Sequence, residues 1–382
     1  MQNASQTPYP LRFPGLASLG FLALAWIIVN QFRAHLGLHA GANGLVAKGY
    51  LGAQLYFVVS GFLLAHAWAA SGEAGGATYR SRVGRWLANV YPLHIAMLAV
   101  MGLMVAAAEV QRITPYGVFD VRGIVANVAM LQAWGVTPTV TWNFPSWLIS
   151  AQLAGLLAFP AFAKLALDRP TPPWLVIGAA ALLFNAMFLA AEGAGVLFTG
   201  MTAQIGALQP LPAFLMGAGL YALGREHSLS APWAKGLALL ALAWILAGSL
   251  LKLTDIMIWP AFPLLVYAVA ETAKSDKPIL AWAPLSGLGR FALSIYLVYL
   301  PVDIAYFHAW KALAPTAEGA FAWAIWGGVF PVILVTGLAA DRFIAEPAAR
   351  FLEGLFGPPA ALNRASTRAL GRRSAWRGLA AR

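Results

Sequence analysis

The sequence has no cysteine, and only 10% of its 382 residues are charged. Without cysteine the chain forms no disulfide framework, thiolate nucleophile or iron–sulfur ligation, so thiol usage says nothing about its compartment. Soluble globular domains carry roughly 25% charged residues, so this chain is not an ordinary soluble protein. It also lacks a Gly-x-x-x-x-Gly-Lys-Ser/Thr loop, a His-Glu-x-x-His helix and paired carboxylates within its apolar runs. These absences argue against a phosphate loop, a zinc-protease helix and proton-coupled transport, and no metal site is predicted.

Long apolar runs dominate what is present, and 60% of the residues are hydrophobic. A membrane-crossing helix needs about 20 apolar residues. The sequence therefore predicts an all-α polytopic membrane protein, a bundle of about ten transmembrane helices. The runs lie at 15–33, 45–70, 86–108, 145–166, 174–195, 204–223, 233–251, 256–271, 285–309 and 320–340. We expect one membrane domain over 15–350, between an N-terminal tail at 1–14 and a basic tail at 351–382.

The formal net charge of +11 comes from lysines and arginines in short loops and in the C-terminal tail. Basic residues beside a membrane attract anionic lipid at about 1 kcal/mol each, so membrane lipid is the expected partner and nucleic acid is not. Cytoplasmic loops are enriched in Lys and Arg. Their distribution predicts cytoplasmic N- and C-termini, with Arg80, Arg82 and Arg85 in the first inside loop. No small-residue cleavage site follows the first run, so we expect it to remain a span.

Two places in the chain carry polar groups that an apolar bundle must accommodate. The first run ends in adjacent carboxamides, Asn30 and Gln31. A carboxamide in hydrocarbon needs a hydrogen-bond partner, so this end of the run should face other helices. Residues 110–144 form a connection that is long for a compact bundle, and we expect a lid that packs on the bundle's outer face.

Six stretches occur in the order of a known family. Its motif residues include Ser60, Gly61, Tyr91, Pro92, Trp147, Ser150, Glu346 and Pro347, within segments 19–32, 52–64, 89–94, 143–152, 288–298 and 344–347. Together these segments resemble the acyltransferase-3 family of integral-membrane O-acyltransferases. The most specific parts are Phe-Val-Val-Ser-Gly-Phe-Leu-Leu and Pro-Ser-Trp with its following serine.

The resemblance implies a fold, a reaction and a location. The family is a bundle of about ten helices in the bacterial inner membrane. It moves acyl groups, often acetyl from cytoplasmic acyl-CoA, to hydroxyls of envelope polysaccharide or glycolipid. No cofactor is bound tightly, acetyl-CoA is the co-substrate, and polysaccharide-synthesis proteins are expected partners. A histidine base, arginines and a glutamate serve this chemistry, because a hydroxyl is a poor nucleophile and the developing oxyanion needs donors.

The chain departs from the family at the ionisable positions. Gln31 stands at the histidine, Gly20 at an arginine and Gln152 at the glutamate, while Trp86 and Asn89 occupy an Arg-x-x-Arg pair. Gln209 and Tyr299 stand at a further arginine and histidine. Glutamine accepts no proton near neutral pH. Each buried charge removed from a span also saves roughly 2.5–3.5 kcal/mol of insertion free energy. This pattern is typical of a scaffold relieved of catalysis.

Other residues are candidates for a relocated centre. His35 lies four residues after Gln31, one helical turn away, and is alternatively a solvated interfacial histidine. His94 is a second candidate base, or a histidine bonded to a neighbouring carbonyl. His66 is expected at an interface, and Asp303 has no partner within the motifs. A nucleophilic Ser150 lacks an adjacent base.

The arginines of the first inside loop have two interpretations. Arg80, Arg82 and Arg85 suit acyl-CoA phosphates, because arginine favours phosphate recognition. The positive-inside rule explains the same residues without a ligand.

Three functions remain open on these residues. The leading hypothesis is a family member linked to O-acetylation of envelope polysaccharide whose own catalysis is absent or weakened. The second is an active O-acyltransferase with a shifted centre, using His35 or His94 as base, with Gln31 and Gln152 as donors. The third is a transporter or flippase-like scaffold for an acylated or lipid-linked intermediate. Whether the chain is an enzyme is left open by the sequence.

Overall fold

The structure is a computed structural model that describes residues 9–37, 44–70, 75–112, 119–139, 141–169, 171–314, 316 and 318–353. Within these ranges the regular structure is helical. The α-helices are α1 (Pro14–Phe32), α2 (Gly44–Ala47), α3 (Gly52–Ala69), α4 (Gly75–Val110), α5 (Val121–Val128), α6 (Trp147–Ala163), α7 (Pro173–Gly193), α8 (Pro210–Glu226), α9 (Ala231–Leu250), α10 (Asp255–Ile258), α11 (Ala261–Thr272), α12 (Ala283–Gly289), α13 (Ala292–Leu313), α14 (Gly319–Ala340) and α15 (Glu346–Glu353). The basic tail from residue 354 onward lies outside the described residues.

Ten helical segments of the described chain are long and apolar enough to cross a membrane, which confirms the predicted all-α fold class. Three boundaries differ by several residues from those expected. The third span begins at Tyr79 instead of 86, because Arg80, Arg82 and Arg85, expected in a loop, belong to α4. The ninth span begins at Ala292 instead of 285, because residues 283–289 form the separate helix α12 and the chain breaks at Arg290. The last span continues to Leu352, because the π-helical turn Asp341–Ala345 joins α14 to α15 without ending the helix.

The centre of the bundle is the contact between α3 and α8. A Cβ at Gly217 would lie 2.4 Å from the Phe62 backbone nitrogen and 2.5 Å from the Val58 carbonyl oxygen. A Cβ at Gly61 would lie 2.5 Å from the Phe214 carbonyl oxygen. Small residues let membrane helices approach backbone to backbone. Gly61 of the motif Phe-Val-Val-Ser-Gly-Phe therefore allows the close contact between α3 and α8.

Replacing Gly217 with alanine is expected to destabilise the protein by roughly 1–3 kcal/mol, because the new methyl group meets backbone atoms that cannot rotate away. The thermal midpoint of unfolding in detergent would measure the loss. Gly178→Ala is the matched control, since no neighbouring atom lies within 4 Å of a Cβ there. A loss no larger than that of the control would contradict the tight contact.

A buried charge cluster anchors the segment that precedes α1. The Tyr9 hydroxyl donates to Glu271 Oε1 at 2.5 Å, and Lys274 Nζ lies 2.9 Å from the same oxygen. The Leu229 backbone N–H donates to the other carboxylate oxygen at 3.0 Å. Burial, followed by the charge of Glu271, raises the pKa of Tyr9, so the phenol stays protonated and remains a donor. These contacts fix residues 9–13 against the bundle.

The long connection packs onto the bundle through polar contacts, as expected of a lid. His94 Nε2 lies 2.8 Å from the Asn127 carbonyl oxygen, and the Ser146 hydroxyl donates to Asn127 Oδ1 at 2.9 Å. Residues 113–118 and 140 of this connection lie outside the described residues.

The expectation for Asn30 is also confirmed, because its side-chain amide donates to the carbonyls of Val46 and Ala47 at 2.8 and 2.9 Å.

Candidate functional site

A cavity of about 770 Å³ opens where α1 begins and α3 ends. The exposed side chains of Arg12 and Arg290 and the half-buried His66 line its mouth. Gly20, Tyr56 and Ser60 line its inner end. Ten residues of α3 separate Tyr56 from His66, which corresponds to a depth of about 15 Å. The cavity is thus cationic at the surface and mostly uncharged inside.

Two positions that the sequence singled out, Gly20 and Ser60, line the inner end of this cavity, and a third, Gln152, contacts Ser60 without lining it. Gly20 forms part of the wall, and a Cβ there would lie 3.8 Å from the Tyr56 ring. Gln152 is buried, and its Nε2 lies 3.5 Å from the Ser60 hydroxyl. Gln152 Oε1 has no hydrogen-bond partner in the part of the chain that the structure describes. The geometry brings these positions together, but none of them supplies a proton acceptor near neutral pH.

Gln31 does not reach this cavity. It lies half-buried at the far end of α1, eleven residues from Gly20, or about 16 Å along the helix. The intervening Ala23, Leu24 and Ile27 are buried apolar side chains. The buried side chains of α1 between the two positions are apolar except for that of Asn30, which donates to the carbonyls of Val46 and Ala47.

His35 and Asp303 form a hydrogen-bonded pair that the sequence did not predict. His35 Nε2 lies 2.7 Å from Asp303 Oδ1, and the two side chains are 24% and 19% exposed. The imidazole stacks on the Phe307 ring with centroids 3.6 Å apart. The partner of Asp303 thus lies outside the motif segments, and the expectation that His35 is interfacial stays a prediction. The 3₁₀ turn Arg33–Leu36 continues α1 and carries the imidazole against α13.

The pair lies one helical turn beyond two family positions at once. His35 follows Gln31 by four residues, and Asp303 follows Tyr299 by four residues. Four residues along a helix correspond to about 6 Å. The Phe32 ring packs edge-on against Tyr299 at 5.9 Å, which shows that α1 and α13 face each other along this length. Because Nε2 faces Asp303, Nδ1 is the nitrogen left to accept a proton.

His94 and Ser150 serve the lid. His94 is fully buried and bonded to a backbone carbonyl, which confirms the structural interpretation of this histidine. The Ser150 hydroxyl donates to the Met130 carbonyl at 2.6 Å and accepts the Ala133 N–H at 3.2 Å. His94 and Ser150 thus hold the connection to the bundle. Ser150 makes no contact with a proton acceptor that could activate it as a nucleophile in the part of the chain that the structure describes.

The arginines at the start of α4 do not line the cavity. Arg12 and Arg290 line it, and Arg82 lies near His66 at its mouth. The Asn89 side-chain amide donates to the Arg85 carbonyl within its own helix at 2.7 Å. The cavity lies between α1, α3 and α12, and a role for Arg80, Arg82 and Arg85 toward acyl-CoA stays a prediction. The one sequence signal for Arg290 was its place in the family segment 288–298.

The remaining motif residues have structural contacts. Trp86 is half-buried and Trp147 is buried. The Tyr91 hydroxyl donates to the Val128 carbonyl at 2.9 Å, and Pro92 lies inside α4. Glu346 pairs with Arg342 at 3.1 Å, and Pro347 follows it in the first turn of α15. Gln209 Oε1 accepts from Gln54 Nε2 at 2.7 Å.

Within the described ranges no group of three or more His, Asp or Glu side chains could hold a metal ion.

Comparison with known proteins places these features in a family context. Residues 11–340 match the family model described as the Acyltransferase domain. The acyltransferase MdmB of Streptomyces mycarofaciens is 28% identical to this chain over 194 residues, which cover 48% of the chain and 48% of that relative. The chain thus aligns with about half the length of this curated relative. No solved structure matches the chain.

Proposed function

Since this chain belongs to the membrane acyltransferase family whose domain spans residues 11–340, we propose that it is an O-acyltransferase with a displaced general base, His35. It transfers an acyl group from an acyl-CoA to a hydroxyl of an envelope polysaccharide or glycolipid. The single observation that carries this proposal is the 2.7 Å pair between His35 Nε2 and Asp303.

The pair has the chemistry of a general base. A hydroxyl becomes an effective nucleophile when a base takes its proton as it attacks. A carboxylate on one imidazole nitrogen holds the ring in the tautomer that leaves the other nitrogen basic, and it stabilises the imidazolium that forms. Asp303 provides this support, and the Phe307 ring fixes the imidazole plane.

The cavity suits the acyl donor. The phosphates of acyl-CoA need cations, and Arg12 and Arg290 provide two guanidinium groups at its mouth. The uncharged inner end suits the pantetheine arm and the thioester. With cytoplasmic termini in the bacterial inner membrane, the mouth opens to the compartment that holds acyl-CoA.

We expect Arg12→Gln and Arg290→Gln each to raise KM for acetyl-CoA by about tenfold, because a hydrogen bond to a charged group contributes about 1.5–3 kcal/mol. The value of kcat should change little. Arg225→Gln is the matched control, an exposed arginine outside this cavity on the same predicted side. Unchanged KM in both cavity variants would place the donor elsewhere.

The proposed function is tested by acetate transfer. Cells that express the chain should carry base-labile acetate on envelope carbohydrate, and the protein in nanodiscs should release free CoA thiol from acetyl-CoA. A chain that neither transfers acetate nor consumes acetyl-CoA would contradict an active enzyme.

A catalytically silent member of the family is the second candidate. The observation in its favour is that Gly20, Gln31 and Gln152 are neutral, and that Ala23, Leu24 and Ile27 between the first two are buried and apolar. Such a chain would act as a partner or carrier scaffold in polysaccharide modification. The double variant Gln31→His with Gln152→Glu separates the candidates: a gain of activity favours the silent form, and no gain favours the displaced base. The flippase alternative stays a prediction, tested by movement of a labelled lipid-linked saccharide in proteoliposomes.

A further inference from the structure

One face of α13 carries both a cavity residue and the partner of His35. Ala292 lines the cavity, and Asp303 contacts His35. Tyr296 and Tyr299 lie between them in the sequence. At about 100° per residue, all four positions fall within an arc of about 60° on the helix surface. The two tyrosines therefore lie on the same face of α13, between the cavity and the His35–Asp303 pair.

Both tyrosines are buried, and neither hydroxyl donates a hydrogen bond within the described part of the chain. Tyr296 is 0% exposed and Tyr299 is 1% exposed. Neither hydroxyl has a hydrogen-bond partner in the described part of the chain, although the Trp147 indole lies near that of Tyr296. Buried polar groups in native proteins are nearly always paired, and an exception calls for a specific explanation. Phenylalanine would fill the same space without this cost, so packing alone does not account for the hydroxyls.

We propose that the Tyr296 and Tyr299 hydroxyls donate hydrogen bonds to the carbonyl oxygen of the acyl thioester during transfer. This inference rests on the proposed function. The acceptor hydroxyl oxygen attacks the carbonyl carbon while His35 Nδ1 takes the hydroxyl proton. The carbonyl oxygen becomes an oxyanion that the two phenols stabilise. The intermediate then collapses, the carbon–sulfur bond breaks, and the departing CoA thiolate takes the proton from His35.

The rings are held firmly enough for this role. The Tyr296 and Tyr299 rings meet at 5.4 Å between centroids, and Tyr299 packs edge-on against Phe32 at 5.9 Å. Donors that are fixed before the reaction need no reorganisation as charge develops, which is the source of their effect. Both rings lie on a single helix, so their spacing is set by the backbone and not by a loop.

Tyr296→Phe and Tyr299→Phe in the full chain test the proposal, because they remove only the hydroxyls. Each should lower kcat for acetyl transfer by about 10²–10³-fold and leave KM for acetyl-CoA nearly unchanged. Tyr306→Phe is the matched control on the same helix, since that hydroxyl donates to the Ile325 carbonyl. The double variant should lose little more than the worse single one if the two donors act as a unit.

A second measurement separates this proposal from simple packing. Acetonyl-CoA, a ketone that cannot be cleaved, keeps the carbonyl, and its infrared band should shift to lower wavenumber on binding. Each Tyr→Phe variant should return the band toward its position in water. Wild-type turnover together with unchanged kcat and an unchanged band in both variants would overturn the proposal and leave the proposed function intact. Failure of the wild-type chain to bind acetonyl-CoA or to turn over acetyl-CoA would overturn both.

Discussion

Replacing His35 with alanine is expected to lower kcat for acyl transfer by about 10²–10⁴-fold, the usual contribution of a general base. The imidazole is the group that Asp303 and Phe307 hold in place, and Gln31 cannot substitute for it. The release of CoA thiol from acetyl-CoA in nanodiscs would measure the loss. KM for acetyl-CoA should change little, because His35 lies far from the cavity mouth.

Asp303→Asn sharpens this prediction. Asparagine keeps the shape of the side chain but does not stabilise the imidazolium or fix the same tautomer, so kcat should fall by a comparable factor. His308→Ala is the control, since His308 is an exposed histidine on the same helix. Full activity in the His35→Ala protein, with activity gained in the Gln31→His, Gln152→Glu protein, would reject the displaced base in favour of the silent candidate.

Replacing Lys274 with methionine is expected to lower the free energy of unfolding by roughly 3–5 kcal/mol. The change leaves the Glu271 carboxylate buried with only the Tyr9 hydroxyl and the Leu229 N–H as donors. An uncompensated buried charge costs far more than the pair itself contributes. Chemical denaturation of the purified protein would report the loss.

Two further variants test the cause of that loss. Lys277→Met is the matched control, because Lys277 is exposed and three residues away. Adding Glu271→Gln to Lys274→Met should restore part of the stability, since it removes the unpaired charge. If the double variant is less stable than Lys274→Met alone, the carboxylate has a structural role that its charge does not explain.

The bundle itself could be predicted from the sequence because hydrocarbon admits few alternatives. Backbone groups without water must pair within a segment, so each long apolar run is a helix. Ten runs gave ten spans. The break at Arg290 could not be predicted, because residues 285–309 read as one apolar run and Gly289 packs against the Ala17 carbonyl only in the folded bundle.

The candidate site could be predicted only in part. The family positions Gly20 and Ser60 line the inner end of one cavity, and Gln152 contacts Ser60 from outside that lining. The His35–Asp303 pair joins residues 268 positions apart, and no local pattern says that α1 lies beside α13. The role of Arg12 could not be predicted for a different reason. Arg12 precedes the first span, and it reaches the cavity mouth only because the segment before α1 is anchored to the bundle. The acceptor and the membrane orientation stay predictions.

The shared direction of α1 and α13 has an evolutionary consequence. Phe32 meets Tyr299 and His35 meets Asp303, so contacts advance along both helices together. Two helices that run in the same direction present nearly the same geometry to each other at each successive turn. Substitutions alone can therefore move a base and its carboxylate partner by one helical turn, with no insertion and no change of fold. A sequence survey that inspects only the usual catalytic positions of the family would classify such a protein as inactive.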